Sequence, residues 1–292
     1  MQSEKKSLDN YQAPSILPRE FDDFRSYLEQ HSGIVLSDNK GYLVASRLSQ
    51  LMIQYKIESF ADLIARIKSD ASLSKRTLDA MTTNETSWFR DNYPYDLLQK
   101  ELLPILVKSK LPRIRIWSAA CSTGQEPYSM RIIIEEYLSK NPGLYSKENI
   151  EIMGTDISSR ALGIAKQGSY DSAMAARGLL PERKQRFFIQ QNESWQVRDE
   201  LKNAISFREL NLKQSFTSLG KFDIIFCRNV LIYFSAELKK DVLQRMAKAL
   251  NPGGYLIVGG SESVNGYCED FDLVSWNGGV IYRLKKDFTS VF

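Results

Sequence analysis

From about residue 96 onward the chain alternates between two kinds of segment. Helical PYDLLQKELLPILVKS leads to the apolar run RIRIWSAA, and EPYSMRIIIEEYLSK, IEIMGTDI, SSRALGIAKQG, FDIIFCRN, SAELKKDVLQRMAKAL and GYLIVGG follow in turn. A strand buried on both faces reads as a nearly continuous apolar run, and strands separated by helices pair in parallel, because a parallel neighbour requires a long crossover. This half of the chain is therefore expected to form an open α/β sheet covered by helices on both faces. It closes with FDLVSW, then Asn277-Gly278-Gly279, then VIYRLK. Two β-prone runs around such a turn predict a hairpin, so the sheet should end in an antiparallel pair.

The preceding part has a different period. FDDFRSYLEQ places Phe21, Phe24, Tyr27 and Leu28 at helical spacing, and Gly33 is suited to stop that helix. YLVASRLSQLMIQY and SFADLIARIKS repeat the pattern, with Ser59 as an N-cap, and LSKRTLDAMTTN reads as a last helix. A brief IVL at 34–36 is the only strand-like run. The expected organisation is a disordered lead-in at 1–14, a small all-helical domain at 15–80, a linker at 81–95 that contributes to a site, and an α/β domain at 96–292. Within the last, RFFIQ, SWQVRD and AISFREL are short and β-prone, and predict a small antiparallel β insert at about 170–210.

Composition excludes several kinds of chemistry. At 43% hydrophobic and 25% charged residues the chain is that of an ordinary globular protein, and no apolar run approaches the roughly 20 residues of a membrane-spanning helix. The polar start lacks the apolar core of a secretion signal, so a cytoplasmic protein is expected, without membrane insertion. A net charge of +4 permits an acidic partner without demanding nucleic acid. Cys121, Cys227 and Cys268 are far apart, as buried small hydrophobes rather than a disulfide framework or a metal set. The one histidine, His31, falls near a helix end where a cation suits the dipole. No metal site is expected, and any chemistry has to proceed without histidine.

The segment WSAACSTGQEPYS joins a strand to a helix and is rich in small residues, which let a ligand approach the backbone. The dinucleotide and P-loop glycine patterns are absent, and Glu126 stands at the helix start, where it disfavours phosphate and favours a ligand with positive groups. Asp156 ends the next strand in GTDIS, where a carboxylate suits two ribose hydroxyls as well as capping the following helix. A nucleoside with a cation and no phosphate describes S-adenosylmethionine. With NPGGYLIVGG and the terminal hairpin, the pattern resembles the class I, Rossmann-like methyltransferase sheet, whose last strand runs antiparallel. Asn211 and Leu212 follow SFREL, where that sheet contacts adenine. FCRNVLIYF has Arg228-Asn229-Val230 where enzymes methylating base amines carry an Asn/Asp-Pro-Pro-aromatic tetrad. Arginine offers a planar fork matched to a carboxylate, which is ionised at neutral pH and needs no base. MTTNETSWFRD adds Asn84, Thr86 and Arg90 at the junction, with Trp88 and Phe89 as its anchors.

Taken in order, MTTNETSWFRD, WSAACSTGQEPYS, GTDIS and FCRNVLIYF closely resemble the CheR-type chemotaxis receptor methyltransferases, and the resemblance runs over about 21–284. It implies transfer of a methyl group from S-adenosylmethionine to glutamate side chains on the cytoplasmic helices of chemoreceptors, with S-adenosylhomocysteine as the other product. It also implies a cofactor site lined by Asn84, Thr86, Arg90, Glu126, Asp156, Asn211, Leu212, Arg228 and Asn229, with Arg90 and Tyr233 near the transferred methyl and the acceptor. Two departures stand out. Gln125 replaces an acid that many members carry, and ASRLSQLMIQYK keeps Arg47 and Lys56 but has Gln50, Leu51, Met52 and Ile53 where other members are rich in arginine thought to meet the acidic receptor. In some members the β insert clips a short peptide at the receptor's carboxyl end. A nucleic-acid methyltransferase is disfavoured by the missing tetrad and balanced charge. A non-catalytic S-adenosylmethionine-binding sensor or scaffold is disfavoured by the presence of Arg90, Arg228, Asn229 and Tyr233. Nothing in the sequence calls for more than a monomer.

Overall fold

The computed structural model describes residues 15–276 and 279–286, which fall into two compact units divided between Thr83 and Asn84. The lead-in at 1–14 and the turn residues Asn277 and Gly278 lie outside the described residues.

The first unit is helical. It contains α1 (Pro18–Ser32), α2 (Gly41–Gln54), α3 (Phe60–Ile67) and α4 (Ala71–Met81). Each boundary has a local cause. Gly33 closes α1 in the left-handed conformation at φ 80°, the Ser59 hydroxyl accepts the Asp62 amide at the start of α3, and Asp70 accepts the Ser72 and Leu73 amides at the start of α4. Residues 34–36, strand-like in sequence, join no strand, and Ile34 and Leu36 instead pack against the helical core. That core holds Phe24, Leu28, Val44, Leu48, Met52 and Leu63, so the apolar middle of α2 is explained by burial of Leu48 and Met52. Arg47 is engaged within this unit. Its guanidinium donates to the Met81 carbonyl at 2.6 Å and to the Thr83 hydroxyl at 3.0 Å, closing the C-terminal end of α4. His31 stacks on Tyr27 with ring centroids 4.1 Å apart.

The second unit opens with a continuous helical segment made of α5 (Tyr93–Leu97), a π-helical turn (Leu98–Leu102) and α6 (Leu103–Lys108). Pro104 lacks the amide that an α-helix would need at that point, which fits the wider turn just before it. There follow β1 (Ile114–Ala119), α7 (Gln125–Lys140), β2 (Ile150–Asp156), α8 (Ser159–Gln167), β3 (Ser169–Asp171), α9 (Ser172–Ala176), α10 (Pro181–Phe187), β4 (Phe188–Gln191), β5 (Ser194–Val197), α11 (Asp199–Lys202), β6 (Ile205–Glu209), β7 (Phe222–Cys227), α12 (Ala236–Ala249), β8 (Leu250–Val258), β9 (Phe271–Trp276) and β10 (Gly279–Leu284). The main sheet has seven strands in the order β6-β2-β1-β7-β8-β10-β9. All neighbours pair in parallel except β10, which is antiparallel to β8 and β9. This is the class I methyltransferase sheet. Side chains alternate across it: Ile116, Ile224, Phe226 and Ile257 join the core that includes Leu98 and Ile133, while Trp117, Ile225, Cys227 and Leu256 join the core that includes Leu243 and Met246 of α12.

The insert differs from the sequence expectation. Its sheet is β3-β5-β4, and the run AISFREL, assigned to it from sequence, instead forms β6 of the main sheet, parallel to β2 from Ile152 with Ile205 to Asp156 with Glu209. Parallel pairing joins segments about fifty residues apart, and no local pattern records that choice. Two short helices, α9 and α10, also intervene, started by the Asp171 side chain on the Met174 amide and by Pro181.

The insert fastens the segment before α5. Trp88 is buried edge-on against Tyr170 and Phe188, each at 5.0 Å, its indole donates to the Met174 carbonyl, and its amide donates to the Arg177 carbonyl. The chain passes so close that a Cβ on Gly178, at φ +94°, would lie 2.2 Å from the Trp88 carbonyl oxygen. Gly178→Ala is therefore expected to destabilise this unit by about 2–4 kcal/mol through backbone strain plus overlap. A lowered midpoint in urea unfolding checks this, and an unchanged midpoint would mean that the Trp88 segment yields freely.

Candidate functional site

In an open parallel sheet the chain leaves one strand to each side at the point where the winding direction reverses, and a crevice forms there beyond the carboxyl ends. Here β1 lies between β2 and β7, so that point is the end of β1 and β7. The loop after β1 is held in an unusual shape. Ala120 and Ser122 have φ of 60° and 51°, and Gly124 has φ 94° at the N-cap of α7. Its amides are taken by the neighbouring strand, Cys121 donating to the Thr155 carbonyl and Ser122 to Asp156 Oδ2 at 2.7 Å. The Ser122 hydroxyl donates to the Asn84 carbonyl at 3.0 Å, which brings the 84–92 segment to this loop.

Asp156 is buried, and its other oxygen accepts the Ser158 amide at 2.8 Å. Each oxygen of an ionised carboxylate has room for a second donor, so the capping bonds are compatible with two hydroxyls from a ligand. The Asp156 carbonyl accepts the Leu210 amide, which brings Asn211 alongside. Asn211 accepts the Lys213 amide with its side-chain oxygen. Leu212, expected as a ligand contact, has its side chain in the core with Trp117 and Phe216, and its carbonyl accepts from Arg245 at 2.7 Å.

The centre of the network is Arg228, only 6% exposed at the end of β7. Nη1 donates to Glu126 Oε2 at 2.9 Å, and Nη2 donates to the Arg90 carbonyl at 2.9 Å and to Asp91 Oδ2 at 2.6 Å. Glu126 Oε1 accepts the Ser118 hydroxyl at 2.8 Å. Burial works against the charge on Arg228, yet Glu126 beside it, with Asp91, raises its pKa above the ordinary arginine value. The segment bearing Arg90 carries backbone strain, with Phe89, Asp91 and Asn92 at φ of 48°, 68° and 47°. Phe89 is fixed by donation from its amide to the Ser129 hydroxyl of α7, and the Arg90 guanidinium donates to the Glu85 carbonyl. Next to Arg228, Asn229 is itself left-handed at φ 59°, and the amides of Asn229, Val230 and Ile232 all donate to the Glu262 carboxylate. Tyr233 ends the one-turn helix that follows and is half-buried, as is Thr86.

Of the residues that sequence reasoning named, Arg228 bonds Glu126 and the Arg90 carbonyl, Ser122 links Asp156 to the Asn84 carbonyl, and Asn229 follows Arg228, all at the carboxyl ends of the strands. That reasoning read Ser118 and Ser122 only as small residues of the loop after the first strand, and it did not single out Asp91 or Glu262. Asp91 directly follows Arg90 in the quoted motif, and Glu262 follows the Gly-Gly at the end of β8, but Asp91 binds Arg228, 137 residues away, and besides the nearby Gly259 amide Glu262 binds amides 30 to 33 residues away.

Two buried carboxylates at the loop ends, one of them on the first turn of α7, are the opposite of a phosphate cradle. They fit a ligand with a hydroxyl-bearing nucleoside and a cationic end. Among the described residues no group of His, Cys, Asp and Glu is gathered to hold a metal ion. Cys121 and Cys227 flank the site, and burial pushes both thiols well above their ordinary pKa, with Asp156 adding to the effect at Cys121 and Glu262 at Cys227.

Residues 84–280 match the family model described as CheR methyltransferase, SAM binding domain, and residues 19–82 match that described as CheR methyltransferase, all-alpha domain. Chemotaxis protein methyltransferase 1 of Pseudomonas aeruginosa is 48% identical over 269 residues, covering 91% of this chain and 98% of that protein. Chemotaxis protein methyltransferase 1 of Vibrio cholerae is 48% identical over 276 residues, covering 94% and 99%.

Two expectations follow from the geometry. Arg228→Ala leaves Glu126 buried without its cation and is expected to cost about 3–5 kcal/mol, whereas Glu126→Gln combined with Arg228→Gln should recover part of that loss. Urea unfolding of the set checks this, and equal losses in the single and double variants would contradict it. The native chain should also resist iodoacetamide at pH 8 at all three cysteines, since burial holds Cys268 at about 11 and the other two are raised as well. Mass spectrometry that finds Cys121 or Cys227 alkylated before denaturation would mean that the loops around them open.

Proposed function

The chain belongs to the CheR methyltransferase family, and from that premise we propose that it methylates glutamate carboxylates on the cytoplasmic helices of chemoreceptors, yielding glutamate methyl esters. Its cofactor is S-adenosylmethionine, which when bound supplies a sulfonium methyl open to in-line displacement. Among the described residues the groups lining the site support it: burial raises the Cys121 and Cys227 thiols well above their ordinary pKa, and Glu126 and Asp156 are engaged by Arg228 and by the Ser122 amide. Such a site suits an acceptor that arrives already charged. A glutamate side chain, with an ordinary pKa near 4.3, does so at neutral pH and loses no proton in the reaction.

In this reading the residues bind and align rather than exchange protons. Asp156 holds the ribose hydroxyls, Asn211 and the backbone at Leu212 flank the adenine, and Glu126 with Arg228, Asn229, Asn84 and Thr86 orients the amino-acid end. Arg90 aligns the acceptor carboxylate, and Tyr233 packs beside it. The chain would act in the cytoplasm as a monomer and without nucleic acid. No described helix is long and apolar enough to cross a membrane.

Transfer of radiolabelled methyl to a receptor cytoplasmic fragment tests the reaction. Label released as methanol by mild alkali is expected, and alkali-stable label would mean a nitrogen or carbon acceptor. Arg90→Ala keeps the carbonyl that Arg228 uses. It should therefore lower kcat/KM for the receptor fragment by about tenfold or more while leaving cofactor affinity nearly unchanged. Parallel loss of both would remove Arg90 from the acceptor side.

A further inference from the structure

Strand β8 ends at Val258 and the chain turns through Gly259 and Gly260. The carboxylate of Glu262 then folds back on this turn. Oε2 accepts the Gly259 and Asn229 amides, both at 2.7 Å, and Oε1 accepts the Val230 amide at 3.0 Å and the Ile232 amide at 3.2 Å. An ionised carboxylate offers about four acceptor positions, and here main-chain donors from two separate segments take all of them. Charged acceptors make the stronger class of hydrogen bond. The fit is close. A Cβ on Gly259 would lie 2.7 Å from Glu262 Oε2 and 3.0 Å from the Asn229 nitrogen.

We infer that Glu262 is a positioning residue for the site. By gathering these four amides it fixes the backbone of 229–232 against the end of β8, and so sets the directions in which Arg228, Asn229 and Tyr233 project. The left-handed turn at Asn229, φ 59°, is one that asparagine tolerates better than most residues other than glycine, and the carboxylate accepts the amide of that very residue, which holds the turn in place. The role rests on the assignment of 228–233 to the cofactor and acceptor site. It divides the work between two acids. Glu126 binds the Arg228 side chain, and Glu262 binds the backbone that carries it.

The variant Glu262→Gln keeps the shape but has one acceptor oxygen, and it turns an NH2 donor toward two of the amides. In the full-length chain, amide hydrogen exchange at Gly259, Asn229, Val230 and Ile232 should speed up by about tenfold or more, with β1 and β2 unchanged. The dissociation constant of S-adenosylhomocysteine, measured by calorimetry, should rise by about fivefold or more. Gly259→Ala, which leaves Glu262 in place but pushes into its oxygen, should give the same local pattern, and it carries the test if the first variant does not fold. Exchange or affinity within about twofold of the parent would overturn the inference. So would equal acceleration throughout the sheet, which would make Glu262 a general structural residue. Neither readout needs a methyl acceptor. A chain that passes both and yet fails to methylate a receptor fragment would therefore refute the glutamate reading while leaving the role of Glu262 intact.

Discussion

The buried pair of Glu126 and Arg228 is the interaction on which the site depends. It joins the first turn of α7 to the end of β7 across 102 residues of sequence, and the same guanidinium reaches the Arg90 carbonyl across 138. Three stretches that are separate in the chain are thereby held at the carboxyl ends of the central strands. A buried ion pair is a weak source of net stability but costly to break from one side, because the remaining charge is left without a partner. The loops at these ends are consequently interdependent. The segment before α5 keeps its strained turns at Phe89, Asp91 and Asn92 only while α7, the insert and Arg228 all grip it.

Carboxylates do most of the structural work here, and that shapes what the crevice accepts. Asp156 holds the loop after β1, Glu126 holds Arg228, and Glu262 gathers the amides of the loop after β7. Elsewhere in doubly wound sheets such loops offer amides and cations to phosphates. Here the amides are spent on acids of the chain itself. The arrangement suits a ligand that carries positive charge and hydroxyls, which agrees with the S-adenosylmethionine-binding domain that the chain matches.

Much of this was legible in the sequence. The apolar runs around Ile114 and Ile224 read as buried strands, and the motifs WSAACSTGQEPYS and FCRNVLIYF lie at the carboxyl ends where ligands bind. Local caps such as Ser59 and Gly33 were equally plain. Some expectations differed from the structure: residues 34–36 form no strand, and α9 and α10 interrupt the insert. AISFREL was a strand, but its partner was β2 rather than the insert. Arg47, left on a helix poorer in arginine than in other members, is engaged with the end of α4.

The sequence by itself determined the longer elements, their alternation and the residue types at the strand ends, because strand and helix periodicity and capping are local and each is written within a few residues. The tertiary structure alone decided pairing and partnership: that β6 joins the main sheet, that Arg228 answers Glu126, and that Glu262 answers the amides of 229–232. The physical reason is that these bonds form between groups which burial forces to find partners, and which groups are near enough depends on how the sheet is wound rather than on any neighbour in the chain.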